Sequence, residues 1–274
     1  MMNNNQSFYN ALGNYKRDEL MRNALKRAED LIGATDFKEF MRRSASFYEY
    51  ARDCDEVILA AASRMYLLSA NDGDGVRTQI NILSDMLRAV ADIDELGIQY
   101  FTLKVPDPSL RPTDVDLKTD RDIVLADIED MGLLRIDKRR LCCIDITRWI
   151  DRVESAEFRA VISRLRDRMY DQFVVFWIPA VDEITLRRVK ESIEWYVNVD
   201  EIYTAPLSVD EYYEYGLRRL KNLDCRLDEG ALEIFRDSIV ASRTDKLFWG
   251  FYSVRNLVDE MIYTALMEGA DGDV

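Results

Sequence analysis

As far as Pro206, segments with strand character and segments with helix character alternate along the chain; beyond it only helical patterns remain. Met65–Ser69 is a short apolar run before a glycine-rich turn, which reads as a buried strand. From Gln79 to Leu96, Ile80, Leu83, Leu87, Val90 and Ile93 share one helical face. Ile98–Val105 alternates and is rich in residues that suit strands. Thr119 to Met131 is helical, and Leu141–Ile146 is again a compact apolar run. Ser155 caps a helix carrying Phe158, Val161, Ile162, Leu165 and Met169. Phe173–Ile178 is the strongest strand, stopped by Pro179; the helix Ile184–Trp195 and the short strand Glu201–Thr204 follow. Such alternation is the pattern of a parallel sheet covered by helices, an α/β fold. Leu141–Ile146 and Phe173–Ile178 are both expected beside Met65–Ser69.

After Pro206 come three helical stretches, Asp210–Leu220, Asp228–Ser242 and Ser253–Met267. The division predicted is an N-terminal extension over 1–27, an α/β domain over 28–206 and a small helical domain over 207–274. The extension is expected to hold a short helix after a disordered start. Helical periodicity then runs from Ala28 to Arg64 through Leu31, Phe37, Phe40, Met41, Phe47 and Tyr48, with Thr35-Asp36-x-x-Glu39 as an N-terminal cap.

Of 274 residues, 48% are hydrophobic, enough for a sizeable core, and the net charge is −14. That charge repels nucleic acid and anionic lipid, and no basic stripe offsets it, so neither is expected as a partner. There is no histidine, which removes the commonest general base and several catalytic dyads and triads. Cys54, Cys142, Cys143 and Cys225 lack metal-ligand spacing, so no metal site is expected. Buried free thiols imply a reducing, cytoplasmic setting. The polar N-terminus lacks a secretory pattern, and no apolar run nears the roughly 20 residues a membrane span needs.

Ser69-Ala-Asn-Asp-Gly-Asp-Gly75 lies between the first strand and the next helix, where a phosphate-binding loop would sit. A working loop follows its last glycine with Lys for the phosphates and a hydroxyl for Mg²⁺. Here Val76 and Arg77 hold those places, Thr78 comes one residue late, and Asp72 and Asp74 add negative charge. The same segment is also an ordinary turn sequence.

The order of parts resembles the AAA+ ATPase module, in its CbxX/CfqX and stage V sporulation protein K branch, over roughly residues 28–268. Asp30-Leu-Ile-Gly33 is similar to that branch's segment before its first helix. Asn71, Gly73 and Gly75 fall in register with its phosphate loop. Leu141-Cys-Cys-Ile-Asp145 resembles its Walker B strand, and Val174–Glu183 the strand and turn bearing sensor 1. Val254-Arg-Asn-Leu257 resembles the helix after sensor 2 in its lid. The resemblance implies a P-loop sheet followed by a helical lid. It also marks what is missing. The Walker A Lys aligns with Val76, the Walker B Glu with Ile146 and the sensor 2 Arg with Tyr252. The segment for the arginine finger, Glu191–Val197, holds no Arg; Arg255 is retained but is not the sensor. A finger alone is worth roughly 10³–10⁵ in rate. The expectation is therefore a degenerate, vestigial nucleotide site at Asn71, Gly73, Gly75, Val76, Arg77, Thr78, Asp145, Tyr252 and Arg255, with no catalytic residue, no ATP or Mg²⁺ bound and no hydrolysis.

Asp145 reads either as a metal ligand or as a turn acid. Asp182–Glu183, Asp210–Glu211 and Asp228–Glu229 read as paired acids or as helix caps. Arg64, Arg77, Arg148 and Arg255 are anion binders or solvated cations. Tyr212, Tyr213 and Tyr215 with Phe248, Trp249, Phe251 and Tyr252 form either a core or a partner surface. Tyr212, Tyr213, Tyr215, Trp249 and Tyr252 are the candidates for that surface. The function expected is a structural or regulatory subunit that binds proteins, an intact AAA+ paralogue among them, in a homo- or hetero-oligomer. The alternative is a divergent nucleotide-binding protein or weak ATPase that uses Asp145, Thr78 and Arg77.

Overall fold

The computed structural model describes residues 4–51, 65–91, 95–105, 140–168 and 172–267. Within them lie helix α1 (Asn4–Glu29), α2 (Thr35–Ala51), strand β1 (Met65–Ser69) and α3 (Val76–Ala91). Next come β2 (Gly97–Thr102), β3 (Arg140–Asp145), a 3₁₀ turn (Thr147–Arg152), α4 (Ala156–Arg168) and β4 (Phe173–Ile178). The last are α5 (Glu183–Glu194), β5 (Val199–Tyr203), α6 (Val209–Asn222), α7 (Glu229–Arg243) and α8 (Gly250–Met267). Cys54, Arg64, Ile93, Met169 and the segments 106–112 and 119–131 lie outside the described residues.

All five strands are parallel, in the order β2-β3-β4-β1-β5. The three inner strands are covered on both faces, which is why they read as continuous apolar runs. The edge strands β2 and β5 are less buried and more mixed. One expectation is corrected here. β4 lies beside β1, but β3 does not; β1's other neighbour is β5. Strand order is set by which crossovers pack, and an apolar run carries no record of its neighbour.

Side chains alternate across the sheet, so the two cores split by residue parity. Tyr66, Leu68 and Cys143 join the core beneath α1, α2 and α3. Leu67, Cys142 and Phe176 join the one with Trp149, α4 and α5. Adjacent Cys142 and Cys143 thus point to opposite faces. Burial pushes their thiols up to about 11 and about 12, so both stay protonated and inert near neutrality.

The N-terminal segment departs from the short helix expected. α1 spans 26 residues, running through residue 27 without a break. It seats Met21, Ala24 and Ala28 on the core, a stripe too small to stand out in the sequence. Buried Arg17 donates to the carbonyls of Ala89 and Val90 at the end of α3 (2.9 and 3.4 Å), satisfying acceptors that a helix terminus leaves open.

After Pro206 the chain is helical, as expected. Ser208 and Glu211 form a reciprocal capping box at the start of α6. Asp182 caps α5 by accepting from the Thr185 amide at 2.9 Å, and these bonds hold its carboxyl below the usual range. Asp228 caps α7 through the Ala231 amide at 2.7 Å. Asp182, Glu211 and Asp228 therefore serve as helix-capping acids, whereas Asp210 pairs with Arg236 at 2.5 Å. The lid has its own core of Tyr212, Leu220, Phe235, Ile239, Val254 and Val258. Gly216 makes room for Phe235: a Cβ there would lie 2.2 Å from the ring.

Candidate functional site

β1 delivers the loop 70–75 to the end of the sheet where β3 and β4 also finish. The Ala70 amide donates to the Ile178 carbonyl (3.0 Å), and the Trp177 indole donates to the Ala70 carbonyl (2.8 Å). The Asn71 side chain accepts from the Ala180 amide at 3.1 Å. Gly73 and Gly75 both have φ near +90° (90° and 89°), where a Cβ is strained, and α3 begins at Val76. The strand, glycine turn and helix of the resemblance are all present.

What occupies the loop comes from the helical lid. The Phe251 amide donates to the Gly73 carbonyl at 3.0 Å. A Cβ on Gly73 would meet the Trp249 ring at 2.7 Å and its carbonyl oxygen at 2.8 Å. A Cβ on Gly250 would meet the Gly73 carbonyl at 2.6 Å and the Asp74 carboxylate at 2.5 Å. Two glycines facing each other allow two backbones to touch. Asp74 is 6% exposed, and the Tyr212 hydroxyl donates to its Oδ1 at 2.6 Å. Burial pushes the Asp74 carboxyl up, against the opposing hydrogen bonds from Tyr212 and Asn71; burial and Asp74 push the Tyr212 hydroxyl up as well. The Gly73 amide is taken by the Asp72 carboxylate at 3.1 Å.

The other expected site residues scatter. Val76 is packed in the core, and Ile146 is wholly buried on the opposite face of the sheet. Arg77 is exposed and lies over the Tyr100 ring at 5.6 Å. Asp145 accepts from the Thr147 amide at 2.9 Å, which makes it a turn acid in this structure. Arg255 lies 4.8 Å over the ring of Tyr252, which in turn packs on Trp249 at 5.2 Å.

The proposed partner surface divides. Tyr212 is 5% exposed and belongs to the lid core; its ring is wedged edge-on between Phe248 and Phe251, so it is removed from that surface. Tyr213 and Tyr215 are half-buried against Phe235 and Phe251. Trp249 and Tyr252 remain exposed, at 48% and 45%.

A cavity of about 390 Å³ opens beside the loop, between the Asp30–Ala34 segment, Asp74, Gly75, Thr78 and α6. Leu31 and Ile32, from a segment singled out in the sequence, line it together with Arg218 and Arg219, which were not. Arg219 is paired with Asp259 at 2.5 Å, and Arg218 with Glu214 at 2.6 Å. No local signal marks these arginines. Only the packing of α6 over the loop brings them there.

No family model matches the sequence, and no curated protein matches it. Solved structures do. A RuvB mutant from Thermotoga maritima matches over 90% of this chain and 68% of its own, with a TM-score of 0.51 at 14% identity. The ORC2 protein of Aeropyrum pernix in its ADP form matches over 83% of this chain and 64% of its own (TM-score 0.44, 15% identity). Domain III of the Thermotoga maritima replication initiation protein DnaA matches over 81% and 86% (TM-score 0.39, 12% identity). At such identities a likeness speaks for the fold alone, and the chain spans about two thirds of the RuvB chain. The five-stranded parallel sheet, the glycine loop after β1, the helices beyond it and the RuvB likeness together give this chain an AAA+ ATPase fold.

Proposed function

We propose that this chain is a non-hydrolysing AAA+-type subunit, of the CbxX/CfqX-like branch, that works by binding another protein. The observation that carries this reading is the lid turn seated on the loop. A phosphate needs open backbone amides and positive charge. Here the Gly73 amide already holds the Asp72 carboxylate, and the Gly73 carbonyl holds Phe251. Two carboxylates stand on the turn, and the positions for Lys and Glu face into apolar cores. These residues do not fit a triphosphate with Mg²⁺. The measurement is thermal denaturation with and without ATP–Mg²⁺. No shift is expected at millimolar nucleotide. A site saturated 100-fold would add about 2.7 kcal/mol, and a rise of that order would overturn the reading.

A second reading keeps nucleotide binding without hydrolysis. The cavity beside Thr78 favours it. The same titration, run with ADP as well as ATP, separates the two, since a rise with either nucleotide supports binding.

The partner face proposed is the exposed edge of the lid around Trp249 and Tyr252, where Leu247 is also 84% exposed. An intact AAA+ paralogue is the partner expected, and the net charge of −14 calls for a basic face on it. Tyr252→Ala is expected to leave melting within about 0.5 kcal/mol. It should weaken association by about 2 kcal/mol if Tyr252 is a hot spot. Tyr212→Ala should lower the melting temperature instead. Stability is read by thermal denaturation of each variant, and association by calorimetric titration against a partner recovered from the native host. Binding that survives deletion of residues 207–274 would refute the placement. Association should also weaken as the Debye length falls from about 10 Å to about 3 Å.

A further inference from the structure

We propose that the contact between loop and lid is a proton-sensitive latch: the lid is held most tightly while the Asp74 carboxyl is neutral, and ionisation of that carboxyl loosens it. Among the described residues, Asp74 is the buried acid of this contact, while Asp72 beside it is exposed. Asp74 sits at the base of the seat, 6% exposed, with the Gly250 backbone closing over its Oδ1. Lifting the lid would return that carboxyl to water, and seating it strips the water away. An ionised carboxylate resists the second step far more than a neutral one.

The surrounding groups do little to offset this. From its own turn, the Asn71 side chain hydrogen-bonds to it. From α6, the Tyr212 hydroxyl donates to it at 2.6 Å, while Glu211 repels it. From α7, Arg243 attracts it weakly; its guanidinium lies 5.7 Å over the Tyr212 ring. The lid turn at Gly250 brings no charge. Across the cavity, Asp30 is a further acid, and Arg218 and Arg219 are engaged by Glu214 and Asp259. Among the described residues, no cation forms an ion pair with Asp74. The start of α3 favours the anion, and both hydrogen bonds do too. Burial outweighs the hydrogen bonds and pushes the carboxyl above its usual range. The Tyr212 hydroxyl, pushed up in turn, stays a neutral donor throughout.

The sign follows from linkage. The seated lid holds the Asp74 proton more tightly than the lifted lid does. The extra hold is fully present below the ordinary carboxylate value of about 3.9 and is lost as pH rises through the raised value. Within that window the seating constant falls by up to about tenfold per pH unit.

Hydrogen exchange read by mass spectrometry tests this, on the whole chain from about pH 4 to about pH 8, corrected for intrinsic rates. The reporter is the Phe251 amide, which is bonded to the Gly73 carbonyl. In the parent chain its protection should fall with rising pH, while amides of β1 and β4 stay unchanged. Asp74→Asn keeps the acceptor and removes the charge, so protection should stay high and flat. Asp72→Asn, at the exposed neighbour, should keep the parent profile. Two results overturn the latch. One is an Asp74→Asn profile that falls like the parent's. The other is loss of Phe251 protection in Asp74→Asn at every pH with β1 and β4 still protected, which would make the ionised carboxylate the holding form.

Discussion

Ile146→Glu, which places an acid where the resemblance aligns the Walker B Glu, is expected to destabilise the protein and to yield no ATP turnover. Ile146 is wholly buried among Trp149, Phe158 and Phe176. A carboxylate there would lie in an apolar cluster, and an uncompensated buried charge costs about 3–5 kcal/mol. At roughly 2–4 °C per kcal/mol, the melting temperature should drop by about 10 °C. Adding Val76→Lys should not rescue activity, because Val76 is packed in the core and the lid turn still covers Gly73. The measurements are a melting curve and a coupled ATPase assay on parent, single and double variants. The parent should show no turnover above background. Turnover in the parent that vanishes in Asp145→Ala would refute the inactive reading; turnover that appears in the double variant would refute the packing argument.

Phe235→Ala should unseat the lid's own core. Its ring is wholly buried, packs beside Tyr213 at 5.6 Å and fills the space above Gly216. Truncating a buried Phe costs about 3–5 kcal/mol, part of it from the cavity left behind. The loss should concentrate in α6–α8, and limited proteolysis should cut between residues 207 and 267 before it cuts the sheet. Gly216→Leu should be destabilising for the opposite reason, since the added side chain meets the ring it now faces. A Phe235→Ala chain with the parent's melting temperature would show that the lid is held mainly by its seat on the loop.

The central strands were legible because their environment is simple. Met65–Ser69 and Phe173–Ile178 are buried on both faces, so each must be apolar throughout, and their ends coincide with the structure. Two helix starts were legible because capping is local: Asp182 and Asp228 each satisfy an amide three residues on; at α6 the cap is Ser208, two residues before the Asp210 read as the candidate. The extent of α1 was not, because its buried stripe includes Ala24 and Ala28, which few patterns would flag.

The candidate site divides along the same line. Sequence alone determined the parallel sheet, the glycine turn after β1 and the helical end of the chain. Those are properties of segments a dozen residues long or of positions read one at a time. Tertiary structure alone decided that β4 separates β1 from β3, that Arg218 and Arg219 line the cavity, that Tyr212 is core and that Trp249–Phe251 sits on the loop. The Tyr212–Asp74 bond joins residues 138 positions apart. A contact of that span depends on where whole helices come to rest, and neither partner's neighbours in the chain carry its mark.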